Sequence, residues 1–300
     1  MRALFFLFSL LFVVSGRAEA ATPLVDAEWV RGQIGKPGII FLDVRSYGAY
    51  RAGHVPGAIY TNYGRDGWRV KIKGVSGMLP PMPKLEKLIG GLGIRNDSHV
   101  VILPGGYSAG EMGVATRIYW SLKVAGLDTV SILNGGMESY FDVKKPAVEK
   151  ATNKPVQATF KANLQAQHLA SADDVKSALA GKGKLIDHRP NDQFVGVNKS
   201  GKVKRHGTLP SAINLPGKWT TVDDGGMFRS AAKLRKLFAA VGAPTEGPTV
   251  AFCNTGHWAS LGWFVQSEIL GNKNVRMYDG SLAEWSINSS NPMEQKIPIH

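Results

Sequence analysis

A pattern that occurs twice limits what this chain can fold into. Ile40-Phe41-Leu42-Asp43-Val44-Arg45 returns as Lys184-Leu185-Ile186-Asp187-His188-Arg189, and Gly53-His54-Val55-Pro56-Gly57-Ala58-Ile59 returns as Gly207-Thr208-Leu209-Pro210-Ser211-Ala212-Ile213. Met78, Leu85 and Leu88 recur at a constant offset of 149 residues as Met227, Leu234 and Leu237. Near the end of each unit, Ile132-Leu133-Asn134-Gly135-Gly136 is answered by Met277-Tyr278-Asp279-Gly280-Ser281. A solenoid needs at least three stacked units, so two copies point to duplicated globular domains. A length of 300 residues suits that division, at roughly 150 residues per domain.

Within each unit, short apolar runs alternate with amphipathic stretches. Gly38 to Leu42, Val100 to Leu103 and Val130 to Leu133 read as buried strands, with helical patterns at Lys84 to Leu92 and Val114 to Ala125. The second unit offers Lys184 to Ile186, Thr249 to Phe252 and Val275 to Tyr278 as strands, with helices at Leu234 to Val241 and Ala259 to Leu270. Alternating β and α elements predict an α/β fold in which each unit is a mainly parallel sheet with helices on both faces. The units are expected at residues 21–145 and 166–300, joined by a linker at 146–165 within the polar stretch Asp142 to Asn163. In such sheets, ligands bind beyond the carboxyl ends of the strands.

Residues 1–20 carry a different signal. Arg2 precedes the apolar run Ala3 to Val14, broken only by Ser9, and Ser15-Gly16 and Ala18-Glu19-Ala20 follow. The run is too short to span a bilayer, and the small residues suit a signal peptidase cutting after Ala20. The expectation is a secreted or periplasmic protein with no integral membrane segment once the signal is removed. Export gives weight to the cysteine count, which is one. No internal disulfide can form, and a lone exported thiol is either a small buried apolar residue or one kept for its chemistry. The formal net charge of +13 suits an anionic substrate or a soluble basic surface. Basic residues are spread along the chain rather than clustered with aromatics, which argues against a nucleic-acid partner. The histidines show no metal-ligand spacing with the cysteine and no dinucleotide loop stands in context, so neither metal nor cofactor is expected.

Cys253 lies where the strand-end rule places a site. It ends the strand Thr249 to Phe252 and opens Cys253-Asn254-Thr255-Gly256-His257-Trp258, ahead of a helix. Successive N–H groups in such a turn can converge on negative charge. The helix end adds its own free N–H groups and a dipole term of about 1–2 kcal/mol. The same amides that favour a thiolate would hold a persulfide anion.

These segments resemble the rhodanese family. LDVR, GHVPGAI and LNGG of the first unit are similar to rhodanese-domain signatures, as are LIDHR, GTLPSAINLP, CNTGHW and YDGSLAEW of the second. The resemblance implies tandem rhodanese-like domains of the thiosulfate and 3-mercaptopyruvate sulfurtransferase arrangement, with Cys253 as nucleophile and Asn254, Thr255, Gly256, His257 and Trp258 as the substrate cradle. It implies a small anionic sulfur donor, thiosulfate first, and a thiol, cyanide or protein acceptor. The first unit has Pro104-Gly105-Gly106-Tyr107-Ser108 at the corresponding place, so it reads as catalytically silent. His257 is a candidate for added positive charge beside the sulfur. Within the basic run Lys202, Lys204 and Arg205, Arg205 is a candidate donor-binding residue. Asp187 and Arg189 read as loop-holding residues.

Three alternatives accompany this reading. 3-Mercaptopyruvate could replace thiosulfate as donor, since the loop is neither the cationic nor the Gly-Ser form. A cysteine phosphatase would need Arg at the position held by Ala259 to clamp phosphate. A non-enzymatic periplasmic sulfur carrier or binding protein would use the same loop without turnover.

Overall fold

The structure is a computed structural model, and it describes residues 21–299. The export signal expected at residues 1–20 lies outside the described residues.

The first unit runs β1 (Leu24–Val25), α1 (Ala27–Gln33), β2 (Ile39–Asp43), α2 (Tyr47–Ala52), β3 (Ile59–Tyr60), β4 (Val70–Ile72), β5 (Val75–Met78), α3 (Met82–Gly91), β6 (His99–Leu103), α4 (Ala109–Val124), β7 (Val130–Leu133) and α5 (Gly136–Phe141). The second runs β8 (Leu169–Ala170), α6 (Ala172–Ser177), β9 (Lys184–Asp187), α7 (Asn191–Val195), β10 (Ile213–Asn214), α8 (Ala231–Ala240), β11 (Thr249–Phe252), α9 (His257–Phe264), β12 (Val275–Tyr278) and α10 (Ser281–Trp285). The five-stranded sheets have orders β1-β7-β6-β2-β3 and β8-β12-β11-β9-β10, parallel throughout, so each strand has its counterpart at the same position. Strands such as β7 (VSIL) and β11 (TVAF) are buried along their whole length. That is the state of parallel strands covered on both faces, and it explains their continuous apolar runs.

The helical patterns are found close to where the sequence put them, with α4 beginning five residues before Val114. That first turn reads as loop in sequence because Gly105, Gly106 and Gly110 dilute its apolar content. The 142–165 stretch has no regular element but is tied down: Ala158 N donates to Gly90 O (2.9 Å), Asn163 N to Ala125 O (2.9 Å), and Phe160 is buried.

Helices α4 and α9 are apolar almost all round, as helices enclosed on every side must be, and they pack against each other. Thr116 Oγ1 and Ser260 Oγ are 2.8 Å apart, and the Tyr119 ring meets Phe264 edge-on at 4.9 Å. One hydrophobic cluster therefore runs through both units. The carboxyl ends of β6 and β11, each followed by one of these helices, face the seam between the units.

The Asp-Arg pairs of the repeat are matching clamps. Arg45 Nη2 lies 2.7 Å from Asp43 Oδ2 and donates to Gly53 O, while Arg189 Nη2 lies 2.6 Å from Asp187 Oδ2 and donates to Gly207 O. Each ties the end of β2 or β9 to the loop that leads from the next helix into β3 or β10, the loop-holding role expected of Asp187 and Arg189.

Candidate active site

Cys253 follows β11, and its side chain is fully buried. The path of the next peptides is set by where their carbonyls go. Cys253 O accepts from Leu282 N (3.1 Å) and Asn254 O from Ala283 N (2.9 Å), both in the first turn of α10. Thr255 O accepts from Arg69 Nη2, and Gly256 O from Arg117 Nη1 (3.3 Å). Four consecutive carbonyls are thus drawn outward by donors. A trans peptide is planar, with its N–H opposed to its C=O, so the N–H groups of Asn254, Thr255, Gly256 and His257 are turned the other way. No acceptor engages them among the described residues, and α9 has no side-chain cap at its start. Thr255 and Gly256 are buried and Asn254 and His257 half-buried, and buried N–H groups without a partner are uncommon.

Gly256 is needed twice. It adopts a left-handed conformation (φ +75), and a Cβ there would collide with Arg117 Nη1. Asn254 Nδ2 donates to Gln193 Oε1 (2.8 Å), which pins the loop to α7, and Thr255 is buried. Cys253 N donates to Ser281 Oγ (3.1 Å), whose hydroxyl donates to Tyr278 O.

The other wall comes from the first unit. The β4-β5 hairpin lies across the loop, with Arg69 Nε on Gly77 O (3.0 Å) and Leu79 N on Asp279 Oδ2 (2.6 Å). Arg117, buried midway along α4, has Nη2 2.5 Å from Asp279 Oδ1 and its guanidinium 4.6 Å from the Trp120 ring. Tyr63 Oη lies 3.3 Å from His257 Nδ1, and Arg69 sits 5.6 Å from the Tyr63 ring. Burial pushes the Tyr63 phenol up, and the Cys253 sulfur is close enough to add to the rise, while Arg69 and Arg117 oppose it.

Asn254, Thr255 and Gly256 form the turn after Cys253, and His257 and Trp258 open α9, but two expectations change. His257 is not a cation: burial first, then Arg69 and Arg117, push it down to about 4, so it is neutral at pH 7. It packs against Gly113 of α4, where a Cβ would stand 2.7 Å from Nε2. Arg205 stands elsewhere. Its guanidinium donates to Ser286 O, Asn288 O (2.9 Å), Ser289 O and Asn291 O (2.9 Å), so its donors are consumed in tying down the segment after α10. Trp258 packs partly buried against Gly217.

Sequence reading missed Tyr63, Arg69, Arg117 and Asp279. Arg117 had a signal, as a cation at mid-helix among the apolar residues Val114, Ala115, Ile118, Tyr119 and Trp120, away from the ends where Glu111 and Lys123 lie. Arg69 had none, since nothing local ties it to a loop 186 residues away.

A family model for the rhodanese-like domain matches residues 26–142 and 171–288. A "Putative thiosulfate sulfurtransferase" of Saccharopolyspora erythraea is 30% identical over 91% of this chain and 97% of its own. A protein of that name from Haloferax volcanii is 31% identical over 94% and 99%. Among solved structures, SseA of Escherichia coli, described with the fold and catalytic mechanism of 3-mercaptopyruvate sulfotransferases, superposes with a TM-score of 0.73 at 25% identity, covering 87% of this chain and 99% of that one. The anaerobic ergothioneine biosynthesis enzyme of Chlorobium limicola gives 0.79 at 22% identity, covering 92% and 71%, and shares the fold. With the repeat, the twin parallel sheets and the cysteine loop in agreement with these matches, the chain belongs to the rhodanese-like family, carrying two such domains in tandem.

Proposed function

We propose that this sulfurtransferase works through a persulfide on Cys253, taking sulfane sulfur from thiosulfate and passing it to a thiol, cyanide or protein acceptor. The observation that carries the proposal is the outward turn of the four carbonyls from Cys253 to Gly256. It leaves a ring of amides at a helix start with nothing to hold except charge on the sulfur. Hydrogen bonds to a charged group contribute about 1.5–3 kcal/mol each, so a few of them suffice to favour thiolate over thiol and to keep a persulfide anionic.

The thiolate attacks the outer sulfur of thiosulfate. The new bond forms on Sγ, the donor's S–S bond breaks, and its electron pair leaves on sulfite. The persulfide's outer sulfur is then taken by the acceptor nucleophile, restoring the Cys253 thiolate. Splitting the transfer into two displacements needs no resident cofactor. Because Cys253 is buried, the donor enters by displacing groups at the seam between the domains. The Arg2 to Ala20 segment supports a further element of the proposal, that the chemistry takes place outside the cytoplasm.

Intact-mass measurement after incubation with thiosulfate tests the reading. A gain of one sulfur atom, absent in Cys253→Ser and reversed by cyanide, is expected. An unchanged mass with every donor, mercaptopyruvate included, would refute it.

A further inference from the structure

The Cys253 loop carries no cation of its own. Asn254, Thr255, Gly256 and Trp258 are uncharged, and His257 is neutral at pH 7. Positive charge reaches the loop from the first domain, through Arg117 and Arg69, and the two are not equivalent. Arg117 is fully buried and neutralised by Asp279 at 2.5 Å. Among the described residues, Arg69 has no carboxylate within ion-pair distance. Its guanidinium rests on two carbonyls, Gly77 O and Thr255 O, and on the Tyr63 ring. It is part-exposed, at the edge of a site whose sulfur is fully enclosed.

An uncompensated, partly desolvated guanidinium at the mouth of an amide ring is an anion-binding group. Its planar fork matches two oxygens of one sulfonate, which an ammonium would meet only as a point charge. We infer that Arg69 binds the oxyanion group of the sulfur donor, so that the domain without a nucleophile selects the substrate of the domain that has one. The inference rests on the persulfide reading above and narrows it. Preferred donors are those carrying an anionic oxygen group next to the sulfane sulfur, as thiosulfate does.

The geometry also suits the step. As the Sγ–S bond forms and the donor's S–S bond breaks, charge accumulates on the departing sulfite, the group held by Arg69. One thiolate and one thiosulfate dianion become one persulfide anion and one sulfite dianion, so no proton or electron is required from elsewhere. Arg69 keeps Gly77 O on Nε and Thr255 O on one Nη2 hydrogen, and of its five N–H donors those on Nη1 and the second on Nη2 are left for the donor.

The test compares two donors in the wild type, Arg69→Gln and Arg69→Lys: thiosulfate, and inorganic polysulfide, which has sulfane sulfur but no oxyanion. In Arg69→Gln the ratio of kcat/KM for thiosulfate to that for polysulfide should fall at least about tenfold, with the loss mainly in the thiosulfate KM. Arg69→Lys, which keeps the charge and loses the fork, should fall between. An unchanged ratio in Arg69→Gln would overturn the inference, and so would equal losses with both donors, which is how a merely structural arginine would behave. Failure of the wild type to load sulfur from either donor would instead remove the persulfide reading, and this inference with it.

Discussion

The two strand-to-helix loops of this molecule are built alike and end in opposite chemistry. After β6, Pro104 O and Gly105 O accept from Met137 N (2.8 Å) and Glu138 N (2.9 Å); after β11, Cys253 O and Asn254 O accept from Leu282 N (3.1 Å) and Ala283 N (2.9 Å). Each loop is also covered by the other domain. Gly226 of the second domain lies against Gly106, as the Arg69-Gly77 hairpin of the first lies against Thr255. Beyond these shared contacts the loops diverge. Tyr107 N donates to Glu111 Oε2 at 2.8 Å, and Ser108 Oγ caps Glu111 N at 3.3 Å. The first loop therefore holds a carboxylate from its own helix, whereas α9 has no acidic residue in its first turn. The same amide cradle is structural where the chain supplies the anion, and available for chemistry where it does not.

Moving the thiol breaks the comparison most sharply. In the double variant Cys253→Ser, Pro104→Cys, the cysteine stands at the matching strand end of the first domain. Turnover should fall at least about a thousandfold, because the Glu111 carboxylate already fills that loop and its charge opposes a thiolate. Measurable sulfur loading at position 104, read by intact mass, would show that the loops are interchangeable after all.

The next effect concerns the wall the domains share. Arg117→Met removes the guanidinium that neutralises Asp279, leaving a buried carboxylate unpaired, and should cost about 3–5 kcal/mol in a denaturant titration. A loss no greater than that of a surface substitution would contradict the clamp role.

Acid distinguishes the two halves as well. His188, fully buried in the second domain with Nδ1 on Leu215 O (2.8 Å), is pushed down to about 4 by burial, and the first domain has Val44 at the matching position. The unfolded chain takes up this proton near pH 6.5, so the folded state binds fewer protons below that value. The stabilisation is complete above pH 6.5 and is lost as pH falls toward 4, by about 3 kcal/mol. Chemical denaturation at pH 7 and pH 4.5 should show this loss in the wild type and a smaller one in His188→Val. Equal pH dependence in the two proteins would exclude His188 as its source.

The smallest effect is at Glu111. Glu111→Gln keeps the shape and removes the charge, which should lower stability by about 1 kcal/mol and leave turnover unchanged. A fall in kcat would show that the first loop takes part in catalysis.

How much of this was legible in the sequence follows from how local each feature is. The repeat, the buried strands and the position of Cys253 are written in short runs, because strand burial and a cysteine at a strand end are properties of adjacent residues. Gly256 and the helix behind it were equally readable. The cations were not. His257 stood in sequence as a candidate cation in a loop, and it is neutral because burial against α4, with Arg69 and Arg117 nearby, disfavours the charge. Arg205 looked free in a basic run, and its carbonyl partners at 286–291 come together only when the chain end folds back. Arg69 reaches the loop through a hairpin from the other domain. The guanidinium groups on the Cys253 loop come from across the seam, which neither repeat contains alone.

The most direct measurement is a crystal structure of the thiosulfate-treated protein. A second sulfur on Cys253, within hydrogen-bond distance of the N–H groups between Asn254 and His257, is the result expected. An unmodified cysteine whose neighbouring amides are engaged by protein carbonyls would contradict the account, since no anion could then be held there.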